Sequence, residues 1–230
     1  MRVVGVDGCP GGWVAIEWDT AERTLTPRVY ASIAALLDAH ADVEAIGIDI
    51  PIGLAEGVPR GADVAARRVL GPRRSSVFPA PDPRLLGAAT YAEAAALARS
   101  LSGKGITVQA FGIFPKVAEV NRALIPDLQG RVFEVHPEVS FWALAGRPMA
   151  HAKKRPEGYE ERRRLLSDEL GIEIWSRAEA RAVARPAGAD DVLDAVVAAW
   201  SAHQSATGQA GQLPAHPEVD DRGLRMEIVY

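Results

Sequence analysis

The sequence has 230 residues, 48% of them apolar and 24% charged, with a formal net charge of −4 and a pI near 5.8. That length suits one large domain, or one domain with a long insertion, and the composition excludes general disorder. A single cysteine, Cys9, excludes internal disulfides and cysteine-rich zinc sites, and no apolar run approaches the ~18 residues of a membrane span.

The opening Met1-Arg2-Val3-Val4-Gly5-Val6-Asp7 is too short an apolar stretch for a signal peptide, so a cytoplasmic location is expected. Charge is informative when divided. Residues 60–84 carry six Arg against Asp63 and Asp82, and residues 147–164 carry seven bases against three Glu, a local +4 in each case. The remainder of the −4 chain is then −12. Two basic stretches on an acidic body read either as phosphate-facing patches beside an acidic metal site or as solvated helical faces.

In chain order, residues 2–7 read as a buried strand ending on Asp7, followed by the turn cluster Gly8-Cys9-Pro10-Gly11-Gly12. Residues 13–18 read as a second strand, making an antiparallel hairpin, and a third strand is expected near Leu25–Tyr30. Ser32 suits the N-cap of a short helix through Leu36 and Leu37. Residues 45–50 form another buried-type strand carrying Asp49, stopped by Pro51 and Gly53. Residues 57–88, rich in Pro, Gly and Arg, have no clean period and read as an irregular functional segment. Helices are expected over 90–101 and 113–124, then a strand over 131–135 carrying Glu134, then helices over 157–170 and 189–202. Met226–Tyr230 reads as a last edge strand.

Three buried-type strands thus carry an acid at or near the C-terminal end: Asp7, Asp49 and Glu134. Ligands gather at those ends in open α/β sheets. The 189–202 helix adds Asp191 and Asp194, spaced i and i+3 on one face. Asp190 and Asp191 also suit a helix N-terminus, whereas Asp194 lies deeper, beside the apolar stripe Val192, Leu193, Val196, Val197 and Trp200. Clustered carboxylates repel one another and raise each other's pKa, and a divalent cation removes that conflict. All-oxygen donors suit Mg²⁺ or Mn²⁺, and two such ions can drive phosphodiester hydrolysis.

Six phrases in order resemble the domain-of-unknown-function 429 family of predicted RNase H-like nucleases. They are Val4-Gly5-Val6-Asp7-Gly8-Cys9-Pro10-Gly11-Gly12-Trp13, Ile48-Asp49-Ile50-Pro51-Ile52-Gly53-Leu54, Arg73-Arg74-Ser75-Ser76-Val77-Phe78, Gly112-Ile113-Phe114-Pro115-Lys116, Phe133-Glu134-Val135-His136-Pro137-Glu138 and Asp191-Val192-Leu193-Asp194-Ala195. The resemblance spans about residues 2–203. It implies an α/β, ribonuclease H-like fold: a mixed five-stranded sheet flanked by helices in one domain over 1–230, with a helical and irregular insertion at roughly 55–130. Asp191-x-x-Asp194-Ala195 is also similar to the last acidic motif of RuvC-type junction resolvases, whose fourth-strand acid is usually Glu where this chain has Asp49.

The catalytic set implied is Asp7, Asp49, Glu134, Asp191 and Asp194, with Asp7, Asp49, Glu134 and Asp194 as ligands of Mg²⁺ or Mn²⁺. Arg73, Arg74, Ser75, Ser76 and Lys116 are the residues expected to bind substrate phosphate. His136 reads as a structural histidine before a base or ligand, and Cys9 as a buried or turn thiol. Trp13, Trp18, Trp142 and Trp200 read as core. The leading expectation is a metal-dependent nuclease acting on RNA, DNA or a hybrid, with nucleic acid as partner and no membrane. Its rivals are a non-catalytic nucleic-acid-binding or regulatory module and a phosphotransferase of the actin and sugar-kinase type. Oligomeric state is left open, a homodimer among the options.

Overall fold

The computed structural model describes all of residues 1–230. Strands β1 (Arg2–Cys9) and β2 (Gly12–Asp19) pair antiparallel, and β3 (Thr24–Tyr30) adds to β2 antiparallel. The hairpin is tighter than the five-residue turn expected. Gly8 and Cys9 still pair with Trp13 and Gly12, and only Pro10 and Gly11 turn, the glycine at φ 79°. Ser32 caps helix α1 (Ile33–Ala39) by accepting from the Ala35 N–H. Strand β4 (Ala45–Ile48) then runs parallel to β1, and β5 (Val132–Glu134) parallel to β4. The sheet order is β3-β2-β1-β4-β5, a mixed α/β sheet flanked by helices.

Between β4 and β5 lie helices α2 (Gly61–Leu70), α3 (Tyr91–Ser102), α4 (Val108–Gly112) and α5 (Phe114–Ala123). Helix α2 corrects the reading of 57–88 as irregular. Its buried stripe is Ala62, Ala66 and Leu70, at helical spacing within a segment otherwise rich in Pro, Gly and Arg. After β5 come α6 (Pro137–Ala145), α7 (Pro156–Leu170), α8 (Arg177–Val183) and α9 (Ala189–Ala206). Strands β6 (Gln212–Leu213) and β7 (Ile228–Val229) pair only with each other. The C-terminal segment is therefore a separate ribbon and not an edge of the main sheet.

The sheet alternates faces along each strand. Val4, Val6, Ile46, Ile48 and Val132 pack with α1 and α5 through Ile33, Leu36, Val117 and Val120. Val3, Cys9, Ala45 and Phe133 face the other way, onto the buried side of α9. Helix α9 is buried nearly all round over its middle turns, from Val192 to Ala202. It lies close on the sheet because Gly5 and Gly47, partners in the β1–β4 register, carry no Cβ. A Cβ on Gly5 would meet the backbone of Ala195 and Ala199, and one on Gly47 would meet Val135 and the Ala198 carbonyl. Trp13, Trp18 and Trp200 are core residues, while Trp142 is half-buried against Tyr230.

Candidate metal centre

Asp7 and Asp49 sit at the same level at the C-terminal ends of adjacent parallel strands, the Asp49 N–H still donating to the Val6 carbonyl at 2.8 Å. Both share the face of Gly5 and Gly47, toward α9. Asp194, one turn into α9, completes the group: one carboxylate oxygen from each of Asp7, Asp49 and Asp194 lies within 4.8 Å of the others. These three acids could hold a metal ion. The donor set is all carboxylate, which suits a hard dication. The electrostatics point the same way. Burial, then the neighbouring charges of Asp49 and Asp194, pushes the Asp7 carboxyl well above the usual carboxylate range. Burial and Asp194 push Asp49 up to about 8. A site in which carboxylates resist ionisation together is one a cation would stabilise.

One cation is already at hand. The Lys153 ammonium, on the loop between α6 and α7, donates to Asp194 Oδ2. Attraction to Asp194 raises the Lys153 pKa. The sequence shows the 147–164 basic stretch but does not single out Lys153; that it is one of only four lysines is the available signal. Its loop is tied down from several sides. Glu161 accepts from the Ala150 and His151 N–H groups, Arg162 donates to the His151 carbonyl, and Arg73 Nε donates to the Met149 carbonyl at 2.9 Å.

Two of the expected acids lie outside this group of three. Glu134 pairs in register with Ile48, not with Asp49, so the period-2 pleat turns its side chain to the opposite face. There both of its oxygens accept from Arg60 at 2.8 Å, and one also accepts from the Ile52 N–H. Arg60 is itself buried and bonds Asp63 and the carbonyls of Ile52 and Gly53. Burial pushes the Glu134 carboxyl up and Arg60 opposes it. Glu134 therefore lies outside the three-acid group, though it lines the same cleft as Asp7 and Asp49. Asp191 also stands apart: it accepts from the Gly188 N–H at 2.8 Å, closing the N-terminal turn of α9.

A cleft of about 530 Å³ opens over Asp7 and Asp49. Arg73, Ser75, Ser76 and Lys116 line it, together with His136, Lys153 and Lys154, whereas Arg74 does not. Lys116 reaches the Gly12 carbonyl with its ammonium 4.4 Å from the centre of the Trp13 ring, so it braces the hairpin as it faces the cleft. His136 has its pKa lowered by burial, and its Nδ1 has no hydrogen-bond partner. Cys9 is a buried thiol whose pKa burial raises.

The sequence model of the family described as Protein of unknown function (DUF429) matches residues 5–219. The chain belongs to this family. The match covers β1 through the segment beyond α9, so every member of the carboxylate cluster lies inside the family region. No curated protein and no solved structure matches the chain. No helix is long and apolar enough to cross a membrane.

Proposed function

We propose that this member of the family is a metal-dependent phosphodiesterase acting on nucleic acid, built on a ribonuclease H-like core. The observation that carries the reading is the meeting of Asp7, Asp49 and Asp194 beside a cleft that Asp7 and Asp49 line together with Arg73, Lys116, Lys153 and Lys154. Carboxylates and cations lining one cleft match a substrate that brings phosphate to a dication. The sheet order β3-β2-β1-β4-β5, with its antiparallel hairpin and parallel β4 and β5, supports the ribonuclease H-like assignment.

In this reading Asp7, Asp49 and Asp194 hold Mg²⁺ or Mn²⁺. A divalent ion so held supplies a nucleophilic water near neutral pH and counter-charge for the phosphate. The chain's own residues do the rest. Arg73, Ser75, Ser76 and Lys116, which line the cleft, hold the substrate backbone by hydrogen bonds to phosphate oxygens. His136 also lines the cleft, and burial lowers its pKa. One observation favours a second reading: Lys153 already offsets part of the carboxylate charge, as a non-catalytic binding module would need for stability alone.

The test is a hydrolysis assay on single strands, duplexes, hybrids and branched DNA with Mg²⁺ and Mn²⁺. It compares the wild type with Asp7→Asn, with Asp190→Asn as the control, since Asp190 lies outside the cluster and pairs with Arg177. Activity lost in Asp7→Asn and kept in Asp190→Asn supports the nuclease. Activity equal in all three, or absent from the wild type on every substrate, removes it.

A further inference from the structure

We propose that Lys153 is the second cation of this centre, so that Asp7, Asp49 and Asp194 take one divalent ion and not two. The inference rests on the metal-dependent reading above and fixes its stoichiometry. Donor supply is the first argument. Two ions about 3.5–4 Å apart need ligands on both outer sides as well as between them. Of the five acids expected here, only Asp7, Asp49 and Asp194 bring carboxylate oxygens together. Both oxygens of Glu134 accept from Arg60, one of them also from the Ile52 N–H, and Asp191 closes the N-terminal turn of α9 through the Gly188 N–H. Span is the second argument. Donor oxygens about 2.1 Å from one Mg²⁺ are about 3.0 Å apart when adjacent and about 4.2 Å apart when opposite. The three carboxylate oxygens already lie within 4.8 Å of one another and need only draw together around a single ion.

Charge is the third argument. Three ionised carboxylates bring −3. One dication and the Lys153 ammonium neutralise that, whereas two dications beside Lys153 leave an excess of +2. The ammonium is also held there. Its loop is bonded to Glu161, Arg162 and Arg73, and Asp194, 2% exposed at its side chain, has Lys153 as its ion-pair partner. The Lys153 side chain is 41% exposed and lines the cleft, so its charge faces an arriving phosphate as well as Asp194.

The experiment is calorimetric titration of the whole chain with MnCl₂, with bound Mn²⁺ counted independently by electron paramagnetic resonance. The wild type, Lys153→Gln and Lys153→Arg are compared, and thermal melts verify that each is folded. One Mn²⁺ per wild-type chain is expected. Lys153→Gln should bind Mn²⁺ about tenfold more tightly or take a second ion, because a unit charge a few ångströms away no longer competes for Asp194. Lys153→Arg, which keeps the charge, should stay at one ion near wild-type affinity. Two Mn²⁺ in the wild type, or a Lys153→Gln titration identical to wild type, would overturn the proposal and leave the metal-dependent reading standing. No Mn²⁺ bound by any folded variant would overturn both.

Discussion

Gly5 and Gly47 lie side by side across the β1–β4 ladder, and neither position admits a side chain beneath α9. This pair sets how close Asp194 comes to Asp7 and Asp49, two residues further along the same two strands. Gly5→Ala would drive a Cβ into the backbone of Ala195 and Ala199, where nothing flexible can give way. The expected cost is about 3 kcal/mol or more, the upper part of the range for overpacking a core. Gly87→Ala, with open space around it, is the control and should change stability little. Urea unfolding of both variants checks this. Wild-type stability in Gly5→Ala would mean that α9 stands off the sheet.

Glu134→Gln should act on stability and not on the carboxylate cluster. It removes one charge from a buried Arg60–Glu134–Asp63 group and leaves a buried guanidinium with a single ionised partner. Asp63 still balances that guanidinium, so the expected cost is about 1 kcal/mol, that of weakened hydrogen bonds and not of an unpaired buried charge. Mn²⁺ stoichiometry in the folded variant should remain that of the wild type. A loss of bound metal at full stability would return Glu134 to the ligand set.

The contrast between Glu134 and Asp49 marks how far the sequence is legible. The strand-end acids can be read from the apolar runs that precede them, and the approximate strands and the long helix over 189–202 are read from period alone. What a run such as Arg131-Val132-Phe133-Glu134-Val135 does not contain is its register against the neighbouring strand. One residue of register decides which face Glu134 takes, and here it pairs with Ile48. Helix α2 escapes for a different reason: its ten residues, with Ala62, Ala66 and Leu70 buried, sit inside a segment whose Pro and Gly read as loop. Lys153 escapes because its partner, Asp194, is 41 residues away and meets it only once α7 has folded back.

The pH dependence of the metal-free chain follows from Asp7 and Asp49, whose folded pKa values lie above their unfolded ones. The folded state then holds more protons than the unfolded chain between about pH 4 and about pH 8. The stability these groups contribute is present at the acid end and lost as pH rises through that window. Asp49→Asn removes the ionisation that burial opposes. It should flatten the slope and, near pH 8, stabilise the metal-free protein by about 2 kcal/mol, or roughly 4–8 °C in Tm. Melts of wild type and Asp49→Asn from pH 4 to 8 with chelator present measure the difference. Parallel curves would mean that Asp49 titrates as an ordinary surface acid.

Arg73 and Arg74 are adjacent in sequence but should differ in function. Arg73 lines the cleft and anchors the Lys153 loop through the Met149 carbonyl, while Arg74 stands outside the cleft lining. Removing one phosphate-binding charge from the cleft weakens nucleic-acid binding at every sequence and lowers the salt slope by about one. Arg73→Ala should do this and Arg74→Ala should not. Fluorescence anisotropy with a labelled single strand in Ca²⁺, across a salt series, separates the two. Because Arg73 also holds the loop, Arg73→Lys is included: it keeps a positive charge but replaces the planar fork that reaches Met149 with a single ammonium. Binding restored in Arg73→Lys assigns the loss in Arg73→Ala to the missing charge. Binding still lost in Arg73→Lys, with its slope unchanged from wild type, assigns it to the loop. Equal losses in Arg73→Ala and Arg74→Ala would mean that the phosphate path runs over the outer surface of the 71–76 turn and not through the cleft.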